Sequence, residues 1–195
     1  MKKIGVILAR FQPIHNGHLE LIHKAIKEND QVLVIIGSVD KLNSRNPIPW
    51  NIRRKLVEEA IAEYFSPVEQ EKILLKELPD LSTEDDNSHD WGFYLYSNIV
   101  TWIEQSNFTI YYSDGYEIIT SWFPGFLLRN NVSLSLLARN TIEDGVSATR
   151  VRHLMLLSND EFDPCNHQKE LQGLVPDCVY RKREQIRAFL EVFQK

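Results

Sequence analysis

Two imidazoles, a set of arginines and two prospective helix starts define the chemistry this chain can offer. His15 and His18 stand three apart around Gly17 in His-Asn-Gly-His, just after Gly5-Val-Ile-Leu-Ala-Arg10-Phe-Gln-Pro-Ile. On a helix begun at that point the two rings share one face. Gly17 has no Cβ, so its backbone can approach a ligand closely. The unsatisfied N–H groups and positive dipole end of a helix start favour anions, phosphate above all. A second such place is Val146-Ser-Ala-Thr-Arg-Val-Arg152, where Ser147 reads as a hydroxyl cap and Thr149, Arg150 and Arg152 fall in the first turn. Arginine suits phosphate because its planar fork donates two hydrogen bonds at fixed charge.

Each piece also has a plain structural reading. Two histidines at a helix start serve as caps or packing groups, and as half a zinc site they lack a third ligand at convincing spacing. Arg150 and Arg152 in isolation read as solvated helix residues. Two phosphate-directed helix starts in one chain nevertheless point to nucleotide chemistry.

The elements that would position these groups alternate. The nearly continuous apolar run at 3–8 reads as a strand covered on both faces, and the stretches 31–36, 73–78, 108–112 and 132–137 read as further strands. Helical spacing appears at 17–28, 51–64, 91–104 and 147–157. This alternation predicts an α/β fold, a doubly wound parallel five-stranded sheet with helices on both faces and ligands at the carboxyl ends of the strands. The acidic, breaker-rich stretch 79–90 reads as a loop. After Asp163-Pro164 a loose connector is expected, then an amphipathic helix over 182–193. The expected organisation is one domain over 1–160 with a C-terminal helical extension over 161–195 packed on it.

Composition narrows the function classes. The 195 residues carry 22 Lys and Arg against 27 Asp and Glu, a net charge of −5, which argues against a general nucleic-acid binder. A phosphate site must then be local and preorganised. Cys165 and Cys178 are too few for a disulfide framework. The opening Met-Lys-Lys-Ile is met by Arg10 before any signal-type apolar core is complete, and no apolar run approaches the roughly 20 residues of a membrane span. The expectation is a soluble, cytoplasmic chain with neither membrane nor nucleic-acid partner.

Ala9-Arg-Phe-Gln-Pro-Ile-His-Asn-Gly-His18 resembles the N-terminal signature of the nucleotidylyltransferase superfamily, (His/Thr)-x-Gly-His. The Arg-Phe-Gln-Pro core is most similar to the archaeal-type nicotinamide mononucleotide adenylyltransferases and the bacterial forms fused to a Nudix domain, with no Nudix domain expected within these 195 residues. Ala9 and Ile14 depart from the usual Gly-Arg-Phe-Gln-Pro-Phe-His. Gly37-Ser38, Asn46-Pro47-Ile48 with Arg53, and Val146 to Arg152 resemble further blocks in the family's order. Asn87 and Trp91 are similar to the Asn…Trp pair of the Nudix-fused branch.

The resemblance implies a Rossmann-like fold and roles residue by residue. Arg10, His15 and His18 would hold the ATP triphosphate, with His18 nearest the α-phosphate. Gly17 and Gly37 would line the ATP site, and Arg53 would add charge on the phosphates. Ser147 and Thr149 would donate from the second helix start, and Arg152 would bind the leaving β- and γ-phosphates. Asn87 and Trp91 would contact the acceptor, the indole stacking on the nicotinamide ring. The implied reaction is transfer of AMP from ATP to nicotinamide mononucleotide, giving NAD and pyrophosphate. Mg²⁺ would arrive on the triphosphate without dedicated protein ligands, and assembly into a homo-oligomer is implied. Rival readings are another acceptor, such as nicotinate mononucleotide, phosphopantetheine or a CTP-dependent alcohol phosphate, or a nucleotide-binding regulator without turnover.

Overall fold

Five short, largely apolar segments form one parallel sheet, the central ones buried by helices on both faces and the two at its edges only partly buried. A computed structural model describes residues 2–81, 88–114, 118–138, 146–157 and 164–193. The strands are β1 (Ile4–Ala9), β2 (Gln31–Ile36), β3 (Ile73–Glu77), β4 (Phe108–Ser113) and β5 (Val132–Leu137), in spatial order β3-β2-β1-β4-β5. β1 and β2 pair in parallel from Ile4↔Gln31 to Ala9↔Ile36, so their carboxyl ends are level. β4 lies on the other side of β1.

Side chains of β2 alternate between two separate cores. Val32, Val34 and Ile36 join one layer and Leu33 and Ile35 the other, all fully buried. The first layer is formed by α1 (Asn16–Glu28), α2 (Trp50–Tyr64) and α7 (Ala148–Leu156). The second is formed by α4 (His89–Ile103), α5 (Ile119–Trp122) and α6 (Gly125–Asn130). A short α3 (Pro67–Gln70) carries a reciprocal Ser66–Glu69 capping box before β3. Among the described residues no helix is long and apolar enough to cross a membrane.

The segment expected as a loose connector is helical instead. α8 (Pro164–Leu174) and α9 (Asp177–Arg181) precede α10 (Arg183–Val192). Their apolar residues, Leu171, Leu174, Cys178, Val179, Ile186 and Leu190, join the core shared by α1, α2 and α7. Ion pairs of Arg181 with Glu63 and Lys182 with Glu59 fasten this end to α2. Unlike the amphipathic α10, α8 and α9 carry few apolar residues each, so periodicity within them is weak. The available signal was proline at the first position of α8, a common helix opening.

Candidate functional site

The strand order reverses direction at β1: the chain moves outward to β2 and β3, then returns to place β4 on β1's other side. In open parallel sheets such a switch point opens a crevice at the carboxyl ends of the strands. Here a cavity of about 570 Å³ occupies it, lined by residues after β1 (Arg10, Phe11, Gln12), the end of β4 (Ser113), and the starts of α1 and α7.

His15 caps α1 with an extended backbone (φ −145°), and its amide donates to His18 Nδ1 at 3.3 Å. The two imidazoles stack at 3.7 Å, and the Phe11 ring tilts against His18 at 4.8 Å. Phe11 reaches that position through a left-handed backbone (φ 49°), an unusual conformation for a bulky residue. Burial in this stack lowers the His18 pKa to about 3. The ring is therefore neutral near pH 7, and because Nδ1 accepts, its proton sits on Nε2. His18 offers the cavity a hydrogen-bond donor rather than a cation. Gly17 is required by close packing: a Cβ there would meet Val146 Cγ1 at 2.9 Å and the His15 ring at 3.2 Å.

A pH dependence follows from the His18 shift. Its folded pKa lies below the ordinary 6.5, so between those values the unfolded chain binds a proton that the folded chain does not. Stability contributed this way is complete above pH 6.5 and is lost as pH falls toward 3. Denaturant melts of the protein without nucleotide should show this acid-side decline flattened in His18→Gln. An unchanged profile would contradict the neutral-imidazole assignment.

Ser147 caps α7, its Oγ accepting from the Arg150 amide at 3.2 Å, and Ser147, Thr149 and Arg152 all line the cavity. Arg152 Nη1 donates to the Gln12 carbonyl at 2.9 Å, spanning the crevice between the two motif halves. Arg150 turns away and pairs with Glu170 of α8 at 2.7 Å.

Arg45 also lines the cavity, and sequence reasoning missed it. It sits in a turn held by Asn43, whose Oδ1 accepts from the Arg45 and Asn46 amides at 3.0 Å each. The Gln12 side chain fixes the same loop, accepting from the Ile48 amide at 2.9 Å and donating to its carbonyl at 3.2 Å. The available signal was a cation beside Asn46-Pro47, in a polar loop at the ligand edge of the sheet. Three arginines, 10, 45 and 152, thus face one cavity whose described lining contains no carboxylate.

Three expected residues are placed elsewhere. Arg53 is fully buried, and its guanidinium donates to the carbonyls of Arg10 (2.6 Å), Gly37 (2.8 Å) and Ser38 (2.9 Å) rather than facing the cavity. Gly37 lies in the same cluster, its amide donating to Ala9 O at 3.0 Å, and is outside the lining. Trp91 is 7 % exposed within the α4 core, edge-on to Trp122 at 6.0 Å and tilted on Tyr94 at 5.6 Å. Packing of the indole against these neighbours accounts for its position here. Asn87 lies outside the described residues.

The cytidylyltransferase-like family model matches residues 6–154. Over 83 residues the chain is 30 % identical to a nicotinamide-nucleotide adenylyltransferase of Thermococcus kodakarensis, covering 42 % of this chain and 43 % of that one. The chain spans less than half the length of that relative. A phosphopantetheine adenylyltransferase of Streptococcus pyogenes is 23 % identical over 95 % of this chain and 97 % of its own. Among solved structures, a bifunctional NMN adenylyltransferase/ADP ribose pyrophosphatase from Francisella tularensis superposes with a TM-score of 0.67 at 18 % identity, covering 99 % of this chain and 52 % of that one.

Proposed function

Because the chain belongs to the cytidylyltransferase-like family, we propose that it transfers AMP from ATP to nicotinamide mononucleotide, forming NAD and releasing pyrophosphate. The observation that carries this reading is the switch-point cavity. It gathers Arg10, Arg45, Arg152, two stacked histidines and two helix starts on a chain of net charge −5. Such a concentration of donors and positive charge fits a triphosphate and little else of that size.

In this mechanism a 5′-phosphate oxygen of the acceptor attacks the α-phosphorus in line. The bond from the α-phosphorus to the oxygen bridging to the β-phosphate breaks, and the electron pair leaves with pyrophosphate. His18 donates from Nε2 to an α-phosphate oxygen, whose charge grows in the transition state. Arg10, Arg45 and Arg152 hold the β- and γ-phosphates, and Ser147 and Thr149 present donors at the start of α7. Mg²⁺ carried by the triphosphate would offset part of its charge beside these arginines. The protein supplies alignment and preorganised electrostatics, with no covalent intermediate.

The Thermococcus and Francisella proteins' names support the nicotinamide acceptor. The nearly full-length alignment with the Streptococcus protein favours phosphopantetheine as the second reading. A pyrophosphate-release assay with Mg-ATP and a panel of nicotinamide mononucleotide, nicotinate mononucleotide and phosphopantetheine separates them. Expected is turnover with nicotinamide mononucleotide and NAD as the product by chromatography. Release only with another acceptor overturns the substrate. ATP binding with no release from any acceptor would identify a nucleotide-binding regulator.

A further inference from the structure

We infer that Arg53 is a positioning residue that acts on nucleotide through Arg10, not a phosphate ligand. The inference rests on reading the switch-point cavity as the ATP site. β1 and β2 end level with one another, and a left-handed residue follows within two positions of each end, Phe11 at φ 49° and Ser38 at φ 51°. These turns take the carbonyls of Arg10, Gly37 and Ser38 out of the sheet ladder, and buried carbonyls need donors. Arg53, from the first turn of α2, provides them at 2.6, 2.8 and 2.9 Å.

One planar guanidinium therefore ties both strand ends together. The Arg10 carbonyl it holds belongs to the residue whose side chain lines the cavity, and the next residue, Phe11, packs its ring on His18. Asp80, held by Ser38 Oγ at 2.9 Å, supplies the opposite charge that favours the cationic form of Arg53. Burial and the nearby Arg10 charge pull the other way, lowering the Arg53 pKa to about 10, still well above neutrality. A guanidinium so enclosed is unavailable to phosphate, yet any loosening of it releases the turn that aims Arg10.

A thermodynamic cycle tests this, with ATP binding read by calorimetry in the absence of acceptor. Arg53→Lys keeps the charge but loses the fork, and should weaken ATP binding about tenfold in the otherwise unmodified protein. In an Arg10→Ala background the same change should cost less than about threefold, since the group it positions is gone. A merely structural role, or a direct phosphate contact, gives equal losses in both backgrounds and overturns the inference.

Should Arg53→Lys fail to fold, the unmodified protein still decides. The buried Arg53 Nε–H must exchange slowly with solvent in ¹⁵N-arginine spectra without nucleotide. Fast exchange would mean an accessible guanidinium and would sink the proposal. A protein that binds ATP but makes no NAD refutes adenylyl transfer to nicotinamide mononucleotide and leaves this test intact. Additive losses in a protein that does make NAD refute the Arg53 role alone.

Discussion

His18→Ala is expected to lower kcat for pyrophosphate release by about two to three orders of magnitude, the usual cost of deleting one donor aimed at developing charge. The ring sits between Phe11 and His15, and its amide-held Nδ1 leaves Nε2–H as the donor on the cavity side of the chemistry proposed above. Because the donor acts most strongly in the transition state, KM for ATP should change much less than kcat. His18→Gln should recover part of the loss by restoring an N–H. Circular dichroism of His18→Ala should remain that of the unmodified chain, since the change is confined to one side chain at the edge of the core, against Phe11. Turnover within threefold of the unmodified enzyme would remove His18 from the mechanism.

Gly92→Ala should have the largest effect on stability. A Cβ at Gly92 would lie 1.9 Å from the Trp122 carbonyl oxygen and 2.6 Å from its carbon. Both contacts are backbone, on α4 and at the end of α5, so no side chain can rotate away. Overpacking usually costs 1–3 kcal/mol, and a clash of two backbones belongs at or above the top of that range, about 3 kcal/mol. For a chain of this size that corresponds to a Tm lower by about 6–12 °C. The residues concerned lie in the α4–α6 layer, so ATP binding at low temperature should survive. An unchanged Tm would mean that α5 does not sit on α4 as described.

Much of the architecture was legible from local pattern. The apolar runs mark β2 and β5 at 31–36 and 132–137, the bounds the structure has. β2 is legible because a strand buried on both faces needs an apolar residue at nearly every position, whereas β5, at the sheet edge, keeps apolar residues mainly at alternate positions. The alternation of those runs with helical spacing implies the parallel, doubly wound sheet, and that in turn places the ligand crevice at the carboxyl edge. His15, Gly17 and His18 are legible as one unit because their spacing is that of a helix start, as are Ser147, Thr149 and Arg152 at the other. Such features depend on neighbours within a few residues. α8 and α9 escaped the same reading because each contributes too few apolar residues to set up a period, and they are held by a core assembled from other elements.

What each arginine does is a different matter, decided only by the folded chain. Residue type marks Arg45, Arg53, Arg150 and Arg152 equally as cations at or near the ligand edge. In the structure Arg45 and Arg152 face the cavity, Arg150 pairs with Glu170, and Arg53 is buried under the strand ends. The carbonyls that hold Arg53 belong to residues 43, 16 and 15 positions away, and the Gln12 carbonyl that holds Arg152 is 140 away. Trp91 likewise takes its orientation from Trp122, beyond the intervening β4. Sequence by itself determined the five strands, the helices α1, α2, α4, α7 and α10, the carboxyl edge as the place of the crevice, and the chemical types available to it. Tertiary structure decided which cations reach the crevice, because a side chain's direction is set by the long-range partners that compensate for its burial.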